Sequence, residues 1–575
     1  MRDDILRRLS RRTFIRNSVI ASSGAILAGS LVTACNDKNF KPEGPHGFFE
    51  GVASFDPGQT SIILWTRYTP AQNEPKSPEI ILDVATSPEF SDGTIVASSQ
   101  VLADESRDRT IYVDLDKLKP NTKYYYRFRN ELTKAESPIG ETKTLPEKSD
   151  VEAISMAVIS CANFQAGLFN VYGAIAESDV EVVVHLGDYI YEYGEGGYGT
   201  NANTMKLGRA HQPAGEIISL DDYRQRYRQY RGDEQLQEAH RLKPFICVWD
   251  DHEISNDTYM EGAQNHQPEE GSFEQRKSNA LQAWHEYLPA RVDDNAKIYR
   301  KFDFGGILEL FMLDTRIVGR DKQLEYSDYF GSDGFNSDKF VSDWMNPERS
   351  LLGQTQREWL MNAISGSTAS WQVLGSQVLM AKYQIPSELL AITAQLAQSP
   401  SEELFNKYKT LLGELASIKA RLLAGDPKVS DAEKARLQNI LPYNLDAWDG
   451  YPAEREKIFA AAKDKKLIAI AGDTHNAWHS QLTDQSGQKV GVEFATASAS
   501  SPGLESILDD DPKALEAFTK ANQLLIDDLE YLNPSERGYL YLEFQNAEAH
   551  AEWRFVKTIT ERDTNTHIGH TAKEA

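Results

Sequence analysis

Five places in this chain set a chemically capable group directly behind a run of apolar residues. Cys161-Ala162-Asn163 follows "ISMAVIS", and Gly187-Asp188-Tyr189-Ile190-Tyr191 follows "VEVVVHL". Asp250-Asp251-His252-Glu253-Ile254-Ser255-Asn256-Asp257 follows "FICVW", Asp314-Thr315-Arg316 follows "LELFML", and Gly472-Asp473-Thr474-His475-Asn476 follows "KLIAIA". One polar strand end is an ordinary turn. Five of them, supplying a thiol, a phenol, carboxylates, a carboxamide and imidazoles, make the donor set of a metal centre.

Groups so far apart in sequence meet only if the strands ahead of them lie together with their carboxyl ends at one edge, where ligands of α/β sheets gather. From Ser155 onward, apolar runs of strand length alternate with longer helical patterns, which argues for α/β; "WQVLGSQV" is a further strand candidate. In "SLDDYRQRYRQY", Tyr223, Tyr227 and Tyr230 recur at helical spacing, with Ser219 placed to cap and Asp222 at the third helical position. These tyrosines are expected to pack. Residues 388–440 read as a helical insertion. Its helix is expected to begin at Ser399-Pro400-x-Glu402, with an apolar stripe of Leu404, Tyr408, Leu411, Leu412, Leu415, Ile418 and Leu422. Hairpin packing is the expected role, a lid over a cleft the alternative.

Residues 36 to about 148 read as all-β. "TSIILWTRYTP", "EIILDVATS", "RTIYVDL" and "TKYYYRFRN" are short β-rich runs divided by turn residues. The spacing Leu118-Pro120-Thr122-Tyr124 resembles the tyrosine corner of fibronectin-type sandwiches. "ESPIGETKTLPEKSD" reads as the linker to the α/β part. With no titratable cluster of its own, the module is expected to be structural or to bind.

The first 34 residues read as an export signal: an arginine-rich start, an uncharged stretch from Asn17 to Ala34, and small residues at its close. Ser10-Arg11-Arg12-Thr13-Phe14 matches the twin-arginine pattern, addressed to machinery that carries folded proteins. Val32-Thr33-Ala34-Cys35 resembles a lipoprotein box with Cys35 as the acylated residue; plain cleavage after Ala34 is the alternative. The protein is therefore expected at the periplasm or cell surface, with a lipid anchor to a bacterial membrane as one outcome. The 575 residues carry a formal charge of −25, and removing a signal with six Arg and two Asp leaves about −29. Such a surface repels polyanions, which argues against stable nucleic-acid binding, and it suits divalent cations. Three cysteines, Cys35, Cys161 and Cys247, exclude a disulfide scaffold.

The series of strand ends resembles the calcineurin-like metallophosphatases and, more closely, the PhoD-type alkaline phosphatases. "GVASFDPGQTSIILWTR", "SLDDYRQRYRQYRGDEQLQEAH", "WDDHEISND", "FMLDTR", "NLDAWDGYPAER" and "AGDTHNAW" carry the likeness, which runs from Gly44 to about Phe555. It implies a four-layer α/β/β/α metallophosphatase sandwich over 152–557, after a fibronectin/Ig-like β-sandwich over 36–148 and before a C-terminal tail, 558–575. It makes Cys161, Asp188 and Tyr191 ligands of one ferric ion. Asp188 would bridge to one or two calcium ions, with Asp251, Asn256, Asp473 and His475 in the cluster. It places His252 where phosphate arrives and Arg316 against phosphate oxygens; a salt bridge to Asp314 is the alternative for Arg316. Asp446, Trp448 and Asp449 fall in a loop expected to line the pocket.

Thiolate, phenolate and carboxylate together balance a trivalent ion, and oxygen donors beside them suit calcium. The i, i+3 spacing of Asp188 and Tyr191 lets two oxygens of one turn reach one metal, leaving Tyr189 and Glu192 to pack or support. Cys247 and His185 read as buried strand residues, and His479 as open to a supporting role. The expected reaction is hydrolysis of small phosphate esters by metal-activated hydroxide or oxide, for phosphate scavenging. A phospholipid or cell-wall-polymer phosphodiesterase is the second reading, and a surface-binding protein with a structural metal site the third.

Overall fold

The computed structural model describes residues 40–148, 151–331, 334–398, 401–507 and 511–575; the signal segment, Cys35 and the Ser399-Pro400 pair lie outside the described residues. The first seven strands are β1 (Val52–Phe55), β2 (Ile62–Arg67), β3 (Glu79–Ala85), β4 (Ile95–Leu102), β5 (Thr110–Leu115), β6 (Lys123–Arg129) and β7 (Gly140–Lys143). They form a four-stranded sheet, β4-β3-β6-β7, and the run β1-β2-β5 of a larger sheet, packed around a shared core. In β6 the alternation of Tyr124, Tyr126 and Phe128 with Lys123, Tyr125, Arg127 and Arg129 buries one face, as period-2 patterning requires. The Tyr124 hydroxyl accepts from the Lys119 amide at 2.9 Å, pinning the corner that the spacing suggests.

The expected boundary at residue 148 does not separate two sheets. β1 pairs in parallel with β10 (Pro244–Cys247), at Ser54↔Pro244 and Phe55↔Phe245, so β1, β2 and β5 extend a nine-stranded sheet of the larger part. All four residues of β1 are buried, and burial on both faces is what a central strand needs. The expected linker is also partly strand, because β7 lies within it and pairs with β6.

The nine-stranded sheet continues through β9 (Val182–His185) and β8 (Ala153–Ile159), with β8, β9 and β10 parallel. The second large sheet takes β11 (Arg300–Phe304), β12 (Leu308–Met312), β15 (Trp371–Gly375), β18 (Leu467–Ala471), β19 (Ala477–Thr483), β20 (Lys489–Ala495) and β21 (Leu529–Asn533). Between β12 and β18 come two small antiparallel pairs, β13 (Phe330–Gly331) with β14 (Gly334–Phe335), and β16 (Gln384–Pro386) with β17 (Ile440–Pro442). In the second sheet β12, β15, β18 and β20 run parallel. The two sheets share one core in which Val158, Val184 and Phe245 join Leu310, Val373 and Ile468. Helices cover the outer faces: Tyr172, Tyr223 and Tyr227 join the first core, and Leu360, Ile458 and Leu412 pack with Phe311, Leu374 and Ala469 of the second sheet.

Residues 558–575, expected as a tail, instead hold β24 (Thr566–Glu574), which pairs with β23 (Ala549–Val556); β23 pairs with β22 (Gly538–Gln545), and β22 with β8. Most of β24 is exposed and polar, so its strand character lies in backbone pairing rather than in a hydrophobic pattern. The insertion is helical over Ser387–Gln398, Glu402–Leu423 and Asp431–Gln438, on a stem formed by β16 and β17. Its long helix is capped by Ser401, whose side chain accepts from the Leu404 amide. Tyr408, Leu412, Leu415 and Ile418 are buried and three of them join the second core, whereas Leu422 is exposed. No helix among the described residues is long and apolar enough to cross a membrane.

Candidate metal centre

The parallel strands of both sheets deliver their carboxyl ends to one place, and short local bonds lock the ends together. After β8, the Cys161 amide donates to the Gly187 carbonyl at 3.2 Å and the Ala162 amide to the Asp188 carbonyl at 2.8 Å. Gly187 has φ +102°, and a Cβ there would stand 2.4 Å from the Asp250 amide nitrogen, so only glycine lets the tips of β9 and β10 approach this closely. The buried Glu253 carboxylate accepts from the amides of Asp188 (3.0 Å), Tyr189 (2.7 Å) and Asp250 (2.8 Å). Gln377, beyond β15, donates to the carbonyls of Trp249 (2.9 Å) and Leu313 (2.7 Å) and accepts from the Thr315 hydroxyl (2.8 Å), tying the two sheets together. Cys161, Asp188, Asp473 and His475 all have φ between 55° and 65°. Left-handed backbone at four non-glycine residues in one site is strain held by the surrounding fold to aim side chains.

Three donor groups overlap here. Ligand atoms of Cys161, Asp188 and His475 lie within 4.8 Å of one another, as do those of Asp188, Asp251 and His252, and those of Asp250, Asp251 and Asp473. Asp188 joins the first group to the second, and Asp251 the second to the third. The Tyr191 phenol belongs with the first group. It lies 3.0 Å from Asp188 Oδ2 and 3.1 Å from His475 Nε2, and it accepts from the Ser501 hydroxyl at 2.7 Å.

The donor chemistry fits bound cations. His475 Nδ1 stands 2.8 Å from the Pro502 carbonyl, which can only accept, so Nδ1 carries the proton and Nε2 keeps its lone pair. Burial pushes the Cys161 thiol, the Tyr191 phenol and the Asp188 and Asp473 carboxyls well above their ordinary values, and neighbouring acids push the same way. A pocket that so disfavours its own anions calls for cations to balance them. One end mixes sulfur, phenol, imidazole and carboxylate, and the other is all carboxylate, a division suited to ions of different softness.

His252 sits where these groups meet. Its Nδ1 lies 2.7 Å from Glu192 Oε2, and Glu192 also accepts from the Asn256 amide and Asn265 Nδ2, each at 2.8 Å. Burial opposes a charge on His252, but Asp251, Glu192 and Asp188 outweigh it and hold the ring well above its ordinary pKa. Glu192, expected to pack or support, supports His252 by orienting it. Its place four residues after Asp188 is the only sequence signal for it.

Arg316 does not present a free guanidinium to a phosphate, and its partner is not Asp314. It is fully buried, with Nε paired to Asp250, Nη1 2.9 Å from both oxygens of Asp446, and Nη2 3.0 Å from Asp473. Asp314 instead accepts from the amides of Arg316 and Ile317, each at 2.9 Å. With Asp251 also 3.6 Å from Nη2, four acids surround the guanidinium and consume it as counter-charge. Asp446 reaches it from the loop expected to line the pocket. In the same loop, Asp449 pairs with Arg455 and Trp448 is core.

Asn256 stands at the partly exposed rim, its Nδ2 donating to Gln264 Oε1 at 3.1 Å. His185 packs in the core with its Nε2 2.8 Å from the Tyr172 hydroxyl. Cys161 and Cys247 are both free and buried. His479 faces His570 at 3.2 Å and bonds to none of the donor groups.

The sequence pattern of the PhoD-like phosphatase family matches residues 156–553, and that of the PhoD-like phosphatase N-terminal domain matches residues 34–146. Alkaline phosphatase D of Bacillus subtilis (strain 168) is 31% identical over 96% of this chain and 85% of its own. A solved structure of PhoD superposes with a TM-score of 0.71 at 29% identity, covering 93% of this chain and 91% of that one. A purple acid phosphatase from yellow lupin (Lupinus luteus) seeds aligns at 12% identity over 91% of this chain and 73% of its own, with a TM-score of 0.48.

Proposed function

Because the chain belongs to the PhoD-like phosphatase family and is a phosphoric ester hydrolase, we propose that it is an exported, metal-dependent phosphatase and phosphodiesterase that frees phosphate from small esters. The observation that carries the metal-dependent part is the overlap of three donor groups through Asp188 and Asp251. A ferric ion would be held by Cys161, Asp188, Tyr191 and His475, and calcium by Asp188, Asp251, Asp473 and Asn256. When bound, such ions offset the charge of the phosphoryl oxygens and activate water for in-line attack.

The chain's own residues supply the rest. Glu192 holds His252 through Nδ1, leaving Nε2 to give its proton to the departing ester oxygen. Arg316 keeps Asp250, Asp446 and Asp473 in place and offsets part of their repulsion. Outside the described residues, the twin-arginine pattern supports export of the folded chain, and Cys35 supports an anchor at the outer face of a bacterial membrane. Phosphate scavenging there is the role that joins location to chemistry.

The test is hydrolysis of 4-nitrophenyl phosphate, its bis-ester and a phospholipid by the purified protein, with and without added calcium. Calcium-dependent turnover of the first two is expected. Turnover that survives full removal of metals would end the metal-dependent reading, and turnover confined to the phospholipid would replace small esters by lipids as substrates.

A further inference from the structure

The opening of the metal centre is mostly acidic. Asp446, Asp473 and Asp257 are each partly exposed there, while Tyr191, buried at the floor, is 0% exposed. One part of the rim differs. Tyr198 is 37% exposed, and its ring stacks on His475 at a centroid separation of 5.9 Å and 25° between planes. Tyr193 lies 5.9 Å from Tyr198 and 5.6 Å from His252, and among the described residues its hydroxyl makes no hydrogen bond. The two rings thus join the two histidines of the centre into one aromatic wall.

The loop that carries them is built to stay in place. Asn163, two residues after Cys161, donates from Nδ2 to the Tyr198 carbonyl at 3.1 Å, and Gln165 donates from Nε2 to the Gly194 carbonyl at 3.1 Å. Gly199 has φ +89°, and a Cβ there would stand 2.4 Å from Asn163 Oδ1, so this fastening requires glycine. The Tyr198 hydroxyl stands 2.9 Å from His475 Nδ1 and 3.1 Å from the Pro502 carbonyl, the same oxygen that fixes the His475 tautomer. More than a third of this fixed aromatic residue is left exposed beside His475.

From this juxtaposition we infer that Tyr193 and Tyr198 form a leaving-group platform, selecting phosphate esters whose departing alcohol carries a planar, uncharged ring. The inference rests on the phosphoesterase reading and adds the substrate class. The phosphate goes to the cation-binding groups, and the ring of the departing alcohol stacks on Tyr198. The acidic remainder of the rim disfavours a second anionic group on the leaving side. Offset and edge-on ring contacts reward an aromatic partner beyond its buried area, so truncating one wall residue is expected to cost about 3- to 10-fold in selectivity.

The experiment compares kcat/KM for 1-naphthyl phosphate and glycerol phosphate in the metal-loaded parent, Tyr198→Leu, Tyr193→Leu and Tyr198→Phe, with metal content measured in each. Both leucine variants should lose about 3- to 10-fold more on the naphthyl ester than on glycerol phosphate, and Tyr198→Phe should keep the parent ratio within about 2-fold. Equal losses on both esters with metals retained would overturn the platform and leave the two rings as packing. Binding of phenylphosphonate against methylphosphonate reads the same wall without turnover. The parent should prefer the phenyl compound, and Tyr198→Leu should not. If the parent hydrolyses neither ester, the phosphoesterase reading fails on its own, and the phosphonate preference still decides the platform: its presence supports the wall and its absence ends it.

Discussion

Replacing Glu192 by Gln tests the acid-base half of the mechanism while leaving the metal donors untouched. Glu192 is fully buried, with Oε2 facing His252 Nδ1 and Oε1 accepting from the Asn256 amide and Asn265 Nδ2. Glutamine keeps the volume but turns one acceptor into a donor. Its oxygen will stay on the two donors of Asn256 and Asn265, so its amide NH2 faces Nδ1. His252 must then offer a lone pair at Nδ1, which makes the ring neutral and a poor acid. A hydrogen bond to a charged group is worth about 1.5–3 kcal/mol. At about 1.4 kcal/mol per factor of ten, kcat on glycerol phosphate should fall about 10- to 100-fold. 4-Nitrophenyl phosphate, whose departing phenolate needs no proton, should lose less than about 3-fold. The assay is kcat on both esters, with metal content measured alongside. Equal losses on the two esters with metals retained would refute the assignment of His252 as proton donor. The pattern is the reverse of that expected for the tyrosine wall, so the two ideas cannot be mistaken for each other.

Three more outcomes are expected. Tyr191→Phe and Cys161→Ser should remove or shift a visible absorption band of the iron-loaded protein and most of its activity, and a colourless, fully active parent would exclude phenolate and thiolate ligation of ferric iron. Arg316→Gln should cost about 3–5 kcal/mol of stability in chelator, since the buried Asp250 and Asp251 and the partly exposed Asp446 and Asp473 lose their counter-charge, and added calcium should restore part of it; unchanged denaturant unfolding would remove Arg316 from that role. Cys35→Ser should move the protein from the detergent phase to the soluble fraction with catalysis intact, and unchanged membrane retention would rule out the lipid anchor.

How much of the fold is legible in the sequence depends on what holds each part in place. The strands buried on both faces, such as "VEVVVHLG" and "KLIAIAG", announce themselves as apolar runs, and the groups behind them are therefore visible as a set. β24 is not visible, because "THIGHTAKE" alternates nothing and its strand state depends on the backbone of β23. The pairing of β1 with β10 is equally hidden, since a parallel partner nearly 190 residues away leaves no local trace. Within the site, the strand ends bring Cys161, Asp188, Tyr191, Asp473 and His475 forward as donors, and the family resemblance assigns the first three to one ion. They do not show that the Arg316 guanidinium is consumed by Asp250, Asp446 and Asp473, because that depends on side chains from three different loops arriving together. Glu192 gives little signal for the same reason: its partner is 60 residues away.

The antiparallel pairing of β22 with β8 sets a clock on synthesis. β8 carries Cys161 at its tip and has two neighbours, β9, which comes within 30 residues, and β22, which does not emerge until Gly538–Gln545. For most of its time on the ribosome the nascent chain therefore shows an open strand edge beside its future reaction centre, the kind of edge that chaperones cover and aggregates recruit. A message broken anywhere before codon 538 yields a product that cannot close this sheet. If export accepts only finished chains, late closure makes completeness itself the feature that is inspected, and abortive products are retained where proteases can reach them.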